Sequence, residues 1–357
     1  MDSIEELTWH GLNDELWLKA RRECLPLSGT FELLPLCNFR CRMCYVRLDA
    51  EKVEQFGRIR TGKEWLDLGR QAQQAGVLSL TLSGGEPLLH PDFMEIYTGL
   101  SQMGFMVSVL SNGSLVTDEH LKLFTEYRPT RIRFTLYGAS NETYERLCGA
   151  PNGFDRVMSS IRRLLDAGMP LSLSFTETQE NVDDFDDVMA IAKQLDIPLM
   201  VCTDLDNPVR GAVSDAANLR VPPQNQRLPQ DDERLQTARA NHLIKQAQKE
   251  GLLDGLFSDC KPYRTSFFVT WNGHMENCGS MSYCRSAPFE DGFMAAWADM
   301  HDKLSRLQLP QPCRTCPSLH FCTACPAKRD AETGRPDGIP RRYCEEAHWW
   351  QQQSFHT

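Results

Sequence analysis

Between Thr30 and Asp204, short apolar runs alternate with longer stretches of helical periodicity. The runs Thr30–Leu34, Val77–Ser83, Phe105–Ser111, Arg131–Tyr137, Leu171–Thr176 and Pro198–Asp204 predict strands. Gly62–Ala75, Asp92–Met103, Thr117–Tyr127, Phe154–Ala167 and Asp183–Leu195 predict helices. Strand and helix in series mean βα units, because a parallel strand pair needs a crossover and a helix supplies it. Six such units build either a partly closed barrel or a doubly wound sheet, and periodicity does not choose between them.

The flanks read differently. In residues 1–29, Trp9, Leu12, Leu16, Trp17 and Ala20 fall on one face of a helix, expected to close one end of the main domain. After the barrel region (30–206), residues 207–255 form a connector. It holds the polar stretch Pro222-Pro223-Gln224-Asn225-Gln226 and a predicted helix over Asp232–Glu250. Residues 256–357 show short strands and many turns, and from Cys260 onward hold eight of the fourteen cysteines. This reads as a second domain, as a length of 357 residues suggests.

Composition removes several function classes. No apolar run reaches membrane-spanning length. Met1–Trp9 lacks a signal pattern, so a cytoplasmic protein with no membrane partner is expected. The net charge of −10 and pI near 5.4 argue against nucleic acid as a partner. Disulfide frameworks belong to small secreted domains, so these cysteines point to metal.

Cys37, Cys41 and Cys44 sit within eight residues, directly after the first predicted strand. Three thiolates on one loop suit a 4Fe–4S cube, leaving one iron open to chelate a ligand. A zinc site would want a fourth Cys or His nearby, and none lies between Tyr45 and Leu89. The Ser83-Gly84-Gly85-Glu86-Pro87 segment follows the second strand, where glycines let a ligand approach backbone. This spacing, with that element, resembles the radical S-adenosylmethionine (SAM) superfamily.

The resemblance implies a partial (β/α)6 TIM-like barrel, α/β in class, with its site at the strands' C-terminal ends. It also implies that Glu86, Gly84, Gly85 and Pro87 hold the amino group of SAM. Ser111 and Asn112 match the family's polar turn beside SAM. Thr135 and Arg146 match positions near its ribose and carboxylate, and Val201 on the sixth strand would offer backbone to the adenine. The family usually has an aromatic before the third cysteine; here Met43 stands there, with Tyr45 just after Cys44. A thioether can also cover an adenine face. Tyr137, Glu177 and Asp204, at strand ends, are base candidates.

A second array follows: Cys260, Gly273 and Cys278; Cys313-x2-Cys316-x5-Cys322-x2-Cys325; then Cys344. It resembles the SPASM extension of radical SAM maturases, departing by one residue between Cys322 and Cys325. The resemblance implies a small cysteine-rich SPASM domain with two auxiliary 4Fe–4S clusters, three clusters in all. Cys313, Cys316, Cys322 and Cys344 would hold one. Cys260, Cys278 and Cys325 would hold the other, with Cys284 or an open iron completing it. Two structural zinc sites are the plainer alternative. Cys24, Cys148 and Cys202 match no pattern and read as small buried hydrophobes.

The implied chemistry is reductive cleavage of SAM to a 5′-deoxyadenosyl radical, which takes hydrogen from a peptide or protein. The expected outcome is oxidative modification of a ribosomal peptide by a crosslink or thioether, with epimerisation also open. Anaerobic sulfatase-maturase-like formylglycine formation is the alternative, but Gly279 stands where that family has its aspartate. A non-catalytic iron–sulfur electron carrier is a further alternative. The expected partners are an external low-potential electron donor of flavodoxin or ferredoxin type and a separate leader-peptide-binding protein. The 36 residues before Cys37 are few for an independent leader-binding core.

Overall fold

The structure, a computed structural model, describes residues 9–227, 260 and 263–354. Six strands run in chain order: β1 (Ser28–Glu32), β2 (Ser79–Ser83), β3 (Met106–Ser111), β4 (Arg131–Thr135), β5 (Leu171–Thr176) and β6 (Leu199–Cys202). Each pairs in parallel with its sequence neighbours. The sheet order β6-β5-β4-β3-β2-β1 never reverses. A doubly wound sheet reverses at a switch point, so the partial barrel is the architecture.

The crossovers are α2 (Gly62–Gln74), α3 (Phe93–Gln102), α4 (Asp118–Glu126), α5 (Asn141–Cys148), α6 (Gly153–Asp166) and α7 (Phe185–Gln194), after an N-terminal α1 (Trp9–Glu23). Local chemistry fixes their ends. Thr61 and Glu64 form a reciprocal capping box that starts α2. The apolar face of α2, Trp65, Leu68 and Ala72, is then buried, with Trp65 4.9 Å from Phe31 of β1, ring centre to ring centre. The short α5 was not foreseen by periodicity. It starts at Ser140, whose hydroxyl accepts from the Thr143 N–H, and stops at Gly149, whose φ of +57° suits glycine.

β4 and β6 end two residues before the predicted Tyr137 and Asp204. Pairing stops there, and the chain turns into the loops above the sheet.

The C-terminal region extends the same sheet. β7 (Ser266–Val269) pairs in parallel with β1, and β8 (Met275–Glu276) pairs antiparallel with β7. The apolar core is continuous across this join, including Phe31, Trp65, Phe267, Phe293 and Trp297. A buried charge cluster seals it. Arg210 pairs with Glu32 at 2.8 Å and Glu276 at 3.4 Å, each side chain at most 1% exposed. Burial pushes both carboxyls up, Glu276 to about 7, against the pull of Arg210.

Three longer helices follow in the C-terminal region: α8 (Phe293–Ser305), α9 (Pro326–Thr333) and α10 (Arg341–Ser354). The predicted lead helix forms and reaches the C-terminal region: the Trp297 indole N–H donates to the Cys24 carbonyl at 2.9 Å. The helix expected over Asp232–Glu250 lies outside the described residues. Among the described residues, no helix is long and apolar enough to cross a membrane.

Candidate active site and cysteine centres

At the C-terminal ends of β2–β6 lies a cavity of about 330 Å³. Cys37, Cys41, Cys44, Met43 and Tyr45 line it from one loop; Gly84, Gly85, Ser111, Asn112, Thr135 and Tyr137 line it from the strand ends. The loop is held by backbone. Arg40 and Arg42 donate N–H bonds to Cys148 and Leu147 at the end of α5, at 2.7 and 2.9 Å. Phe39 is fully buried, edge-on to Tyr137 and Tyr144.

The glycines are required by contact. The Gly85 and Glu86 N–H groups donate to Leu34 and Leu36, pulling the segment against the start of the cysteine loop. A Cβ at Gly85 would sit 2.4 Å from the Leu36 carbonyl oxygen, so no side chain fits.

Glu86 is fully buried and does not line the cavity. Its carboxylate accepts from the Asn112 N–H (2.7 Å), the Ser111 hydroxyl (2.9 Å) and the Leu88 N–H (3.1 Å). Burial pushes it up to about 7, against those three donors. It is a strut binding the β2 and β3 loops together. Pro87 starts the 3-10 turn Pro87–Leu89 beside it.

Arg146 and Val201 also lie off the cavity lining. Arg146 pairs with Glu180 at 3.0 Å, and Glu180 with Arg42 at 2.6 Å, so Arg146 braces the cysteine loop. Thr135 is in the lining, its hydroxyl 3.2 Å from that of Ser174.

The three base candidates differ in setting. Glu177 is fully buried and accepts from the Arg227 N–H. Tyr137 lines the cavity, and burial pushes its hydroxyl far above the ordinary range. Asp204 is ion-paired with Lys328 (2.5 Å) and Arg342 (2.8 Å) and accepts from Tyr343. Burial works against ionisation there, but the two cations outweigh it and hold the carboxyl at about 2, too low for a strong base.

Sequence reasoning missed Asp206. It lines the same cavity, burial raises its pKa, and the Ser280 hydroxyl donates to it. No spacing rule marks it; only the chain's turn after β6 brings it in.

Half-buried thiols gather in three places. In the first loop, burial pushes Cys37 up to about 12 and Cys44 to about 11. For Cys41 a hydrogen bond with Cys148 is the largest upward push, ahead of burial. Beyond the barrel, burial pushes Cys260 up to about 11, and the nearby Cys325 thiol adds to it. Cys278 is likewise raised by burial, then by Cys325 and Cys260. Cys344 is raised by burial, then by Cys322 and Cys313, with Cys316 also close.

Thiols so crowded ionise together only around bound cations; among the described residues, no three Cys, His, Asp or Glu side chains converge closely enough to hold a single metal ion. Cys284 is different: its charged neighbours are Lys303, Asp330 and Asp299, not the other cysteines.

Residues 31–192 match the model described as the radical SAM superfamily. Over 165 residues the chain is 29% identical to the sporulation killing factor maturation protein SkfB of Bacillus subtilis (strain 168), covering 46% of this chain and 39% of SkfB. The match thus spans about two fifths of that relative's length. Over 334 residues it is 26% identical to the AdoMet-dependent heme synthase of Methanosarcina barkeri (strain Fusaro / DSM 804), covering 87% of this chain and 93% of that protein. The solved structure of Streptococcus suis SuiB bound to precursor peptide SuiA has a TM-score of 0.65 at 16% identity, covering 96% of this chain and 82% of SuiB. That likeness is one of fold.

Proposed function

We propose that the chain, whose residues 31–192 match the radical SAM superfamily, is an enzyme of that superfamily with a SPASM-type extension and oxidatively modifies a ribosomal peptide. The observation that carries the reading is the single cavity walled by Cys37, Cys41, Cys44 and the Gly84–Gly85 backbone. Cys37, Cys41 and Cys44 would hold an iron–sulfur cluster, which with SAM would supply the radical chemistry that removes a hydrogen atom from substrate.

The chain's own part is placement. The Gly84–Gly85 backbone, free of side chains, offers a surface for the methionine end of SAM. The Thr135 hydroxyl and the Met43 and Tyr45 side chains wall the rest of the cavity. Asp206, in the cavity lining, would accept the proton that substrate oxidation releases. Cys260, Cys278 and Cys325, and Cys313, Cys316, Cys322 and Cys344, would hold two auxiliary clusters that take the electrons. An external low-potential donor is required to reduce the first cluster. The peptide reading draws support from SkfB, a maturation protein by name, and from SuiB, solved with a precursor peptide.

One observation favours a second reading. The match to the heme synthase runs through both halves of the chain, so oxidation of a haem precursor is the competing substrate class.

The test is anaerobic reconstitution with SAM and a strong reductant, measuring 5′-deoxyadenosine. The wild type should make it and the Cys37→Ala/Cys41→Ala/Cys44→Ala variant should not. Stimulation by precursor peptides supports the first reading; stimulation by a haem precursor alone overturns it. Equal yields from wild type and variant refute both.

A further inference from the structure

Two arginines are buried in this molecule in opposite circumstances. Arg210 has two carboxylates against it. Arg329, 1% exposed on α9, has none among the described residues. Its Nε donates to the Ala324 carbonyl (3.0 Å), and its Nη1 to the Gly338 carbonyl (2.8 Å) and the Cys313 sulfur (3.6 Å). The acids on its own helix are engaged elsewhere. Asp330 accepts from the Ser282 N–H, and Glu332 pairs with Arg220 and Arg342.

A buried cation without an anion is strongly unfavourable. Among the described residues, the anionic partner lies where the guanidinium points, at the Cys313 sulfur. Four thiolates around an oxidised cube leave net negative charge, and one-electron reduction adds more.

We propose that Arg329 is the built-in counter-ion of the cluster held by Cys313, Cys316, Cys322 and Cys344, and that it raises that cluster's reduction potential. The inference rests on the auxiliary-cluster reading above. It makes this cluster the one whose reduced state the protein stabilises most directly, because charge and hydrogen bonds at the sulfurs set such potentials. The cluster of Cys260, Cys278 and Cys325 has a different surrounding. Asn277 donates to the Cys260 sulfur at 3.8 Å, and the Asp206 carboxylate adds negative charge beside Cys278. Arg329 acts through the cluster and touches no substrate, so it is a positioning residue.

The experiment is a redox titration of the fully reconstituted chain, followed by electron paramagnetic resonance, with iron and sulfide counted in every sample. The Cys316→Ala/Cys322→Ala variant identifies which transition belongs to this cluster. In Arg329→Met that transition should move to lower potential, with the other transitions unmoved. In Arg329→Lys, which keeps the charge but not the fork geometry, the shift should be smaller. Loss of about four irons from Arg329→Met but not from Arg329→Lys equally supports the counter-ion.

An unmoved transition at full iron content overturns the proposal. So does an equal shift of every transition. So does loss of the cluster from both variants, which would make shape rather than charge the requirement. A wild type holding only the iron of the first cluster refutes the auxiliary-cluster reading itself and is recognised by the iron count alone.

Discussion

Replacing Glu86 by glutamine separates two roles that the same motif suggests. The resemblance implies that Glu86 holds the amino group of SAM; the geometry makes it a buried strut with three donors already on its oxygens. Its carboxyl is raised from 4.5 to about 7, first by burial. A raised acid costs stability as pH climbs from its unfolded value through its folded one. Over that window the wild type should lose about 3 kcal/mol on this group's account. Glu86→Gln has no such titration. Glu276, also near 7, is present in both proteins and cancels in the comparison.

The assay is urea unfolding of both proteins at equal metal loading, from pH 4.5 to 8. The wild-type advantage over Glu86→Gln should shrink by about 3 kcal/mol across the range. SAM affinity of the reconstituted variant, measured by calorimetry, should fall only several-fold, through loosening of the Asn112 loop. A pH-independent stability difference would refute the burial reasoning. A hundred-fold loss of SAM affinity with unchanged stability would refute the strut and put the carboxylate on the ligand.

Arg210→Met should destabilise by about 3–5 kcal/mol, because it strands Glu32 in the core and leaves Glu276 with Arg285 alone; adding Glu32→Gln should recover part of this, checked by thermal unfolding. Cys284→Ser should leave iron content unchanged, whereas Cys278→Ala should lower it by about four per chain; iron retained by Cys278→Ala would overturn the cysteine grouping. Asp206→Asn should still form 5′-deoxyadenosine but yield roughly a hundred-fold less modified substrate, as loss of a general base does; undiminished product would remove Asp206 from the mechanism.

The barrel was legible because its signals are local. Six strands of β-branched and aromatic runs and five of the crossover helices follow from periodicity, and the cysteine spacings stand in plain sight. What sequence did not disclose depends on approach through space. α5 is short and polar, and its limits come from caps rather than an apolar stripe. Asp206 and Arg329 sit in stretches with no repeating pattern, and only packing reveals their burial. The pairing of β7 with β1 joins Ser266 to Ser28, far apart in the chain, and no periodicity reports such a partner. The same limit explains Asp204: its strand-end position suggested a base, but Lys328 and Arg342 arrive from the far C-terminal region.

The distribution of charge argues that barrel and extension work as one electrical unit. Helix α9 begins directly after Cys325. One turn later Lys328 reaches back to Asp204 at the rim of the SAM-side cavity, while Arg329 faces the sulfur of Cys313. A single helical turn thus links the cavity rim with Cys325 and Cys313. α10 repeats the device: Arg342 and Tyr343 hold Asp204, and the next residue is Cys344. Each group that fixes Asp204 is therefore within three residues of Cys325 or Cys344, so the two proposed auxiliary clusters would be tied to the cavity wall. A detached extension would leave Asp204 without either cation, and its depressed pKa would rise with burial unopposed.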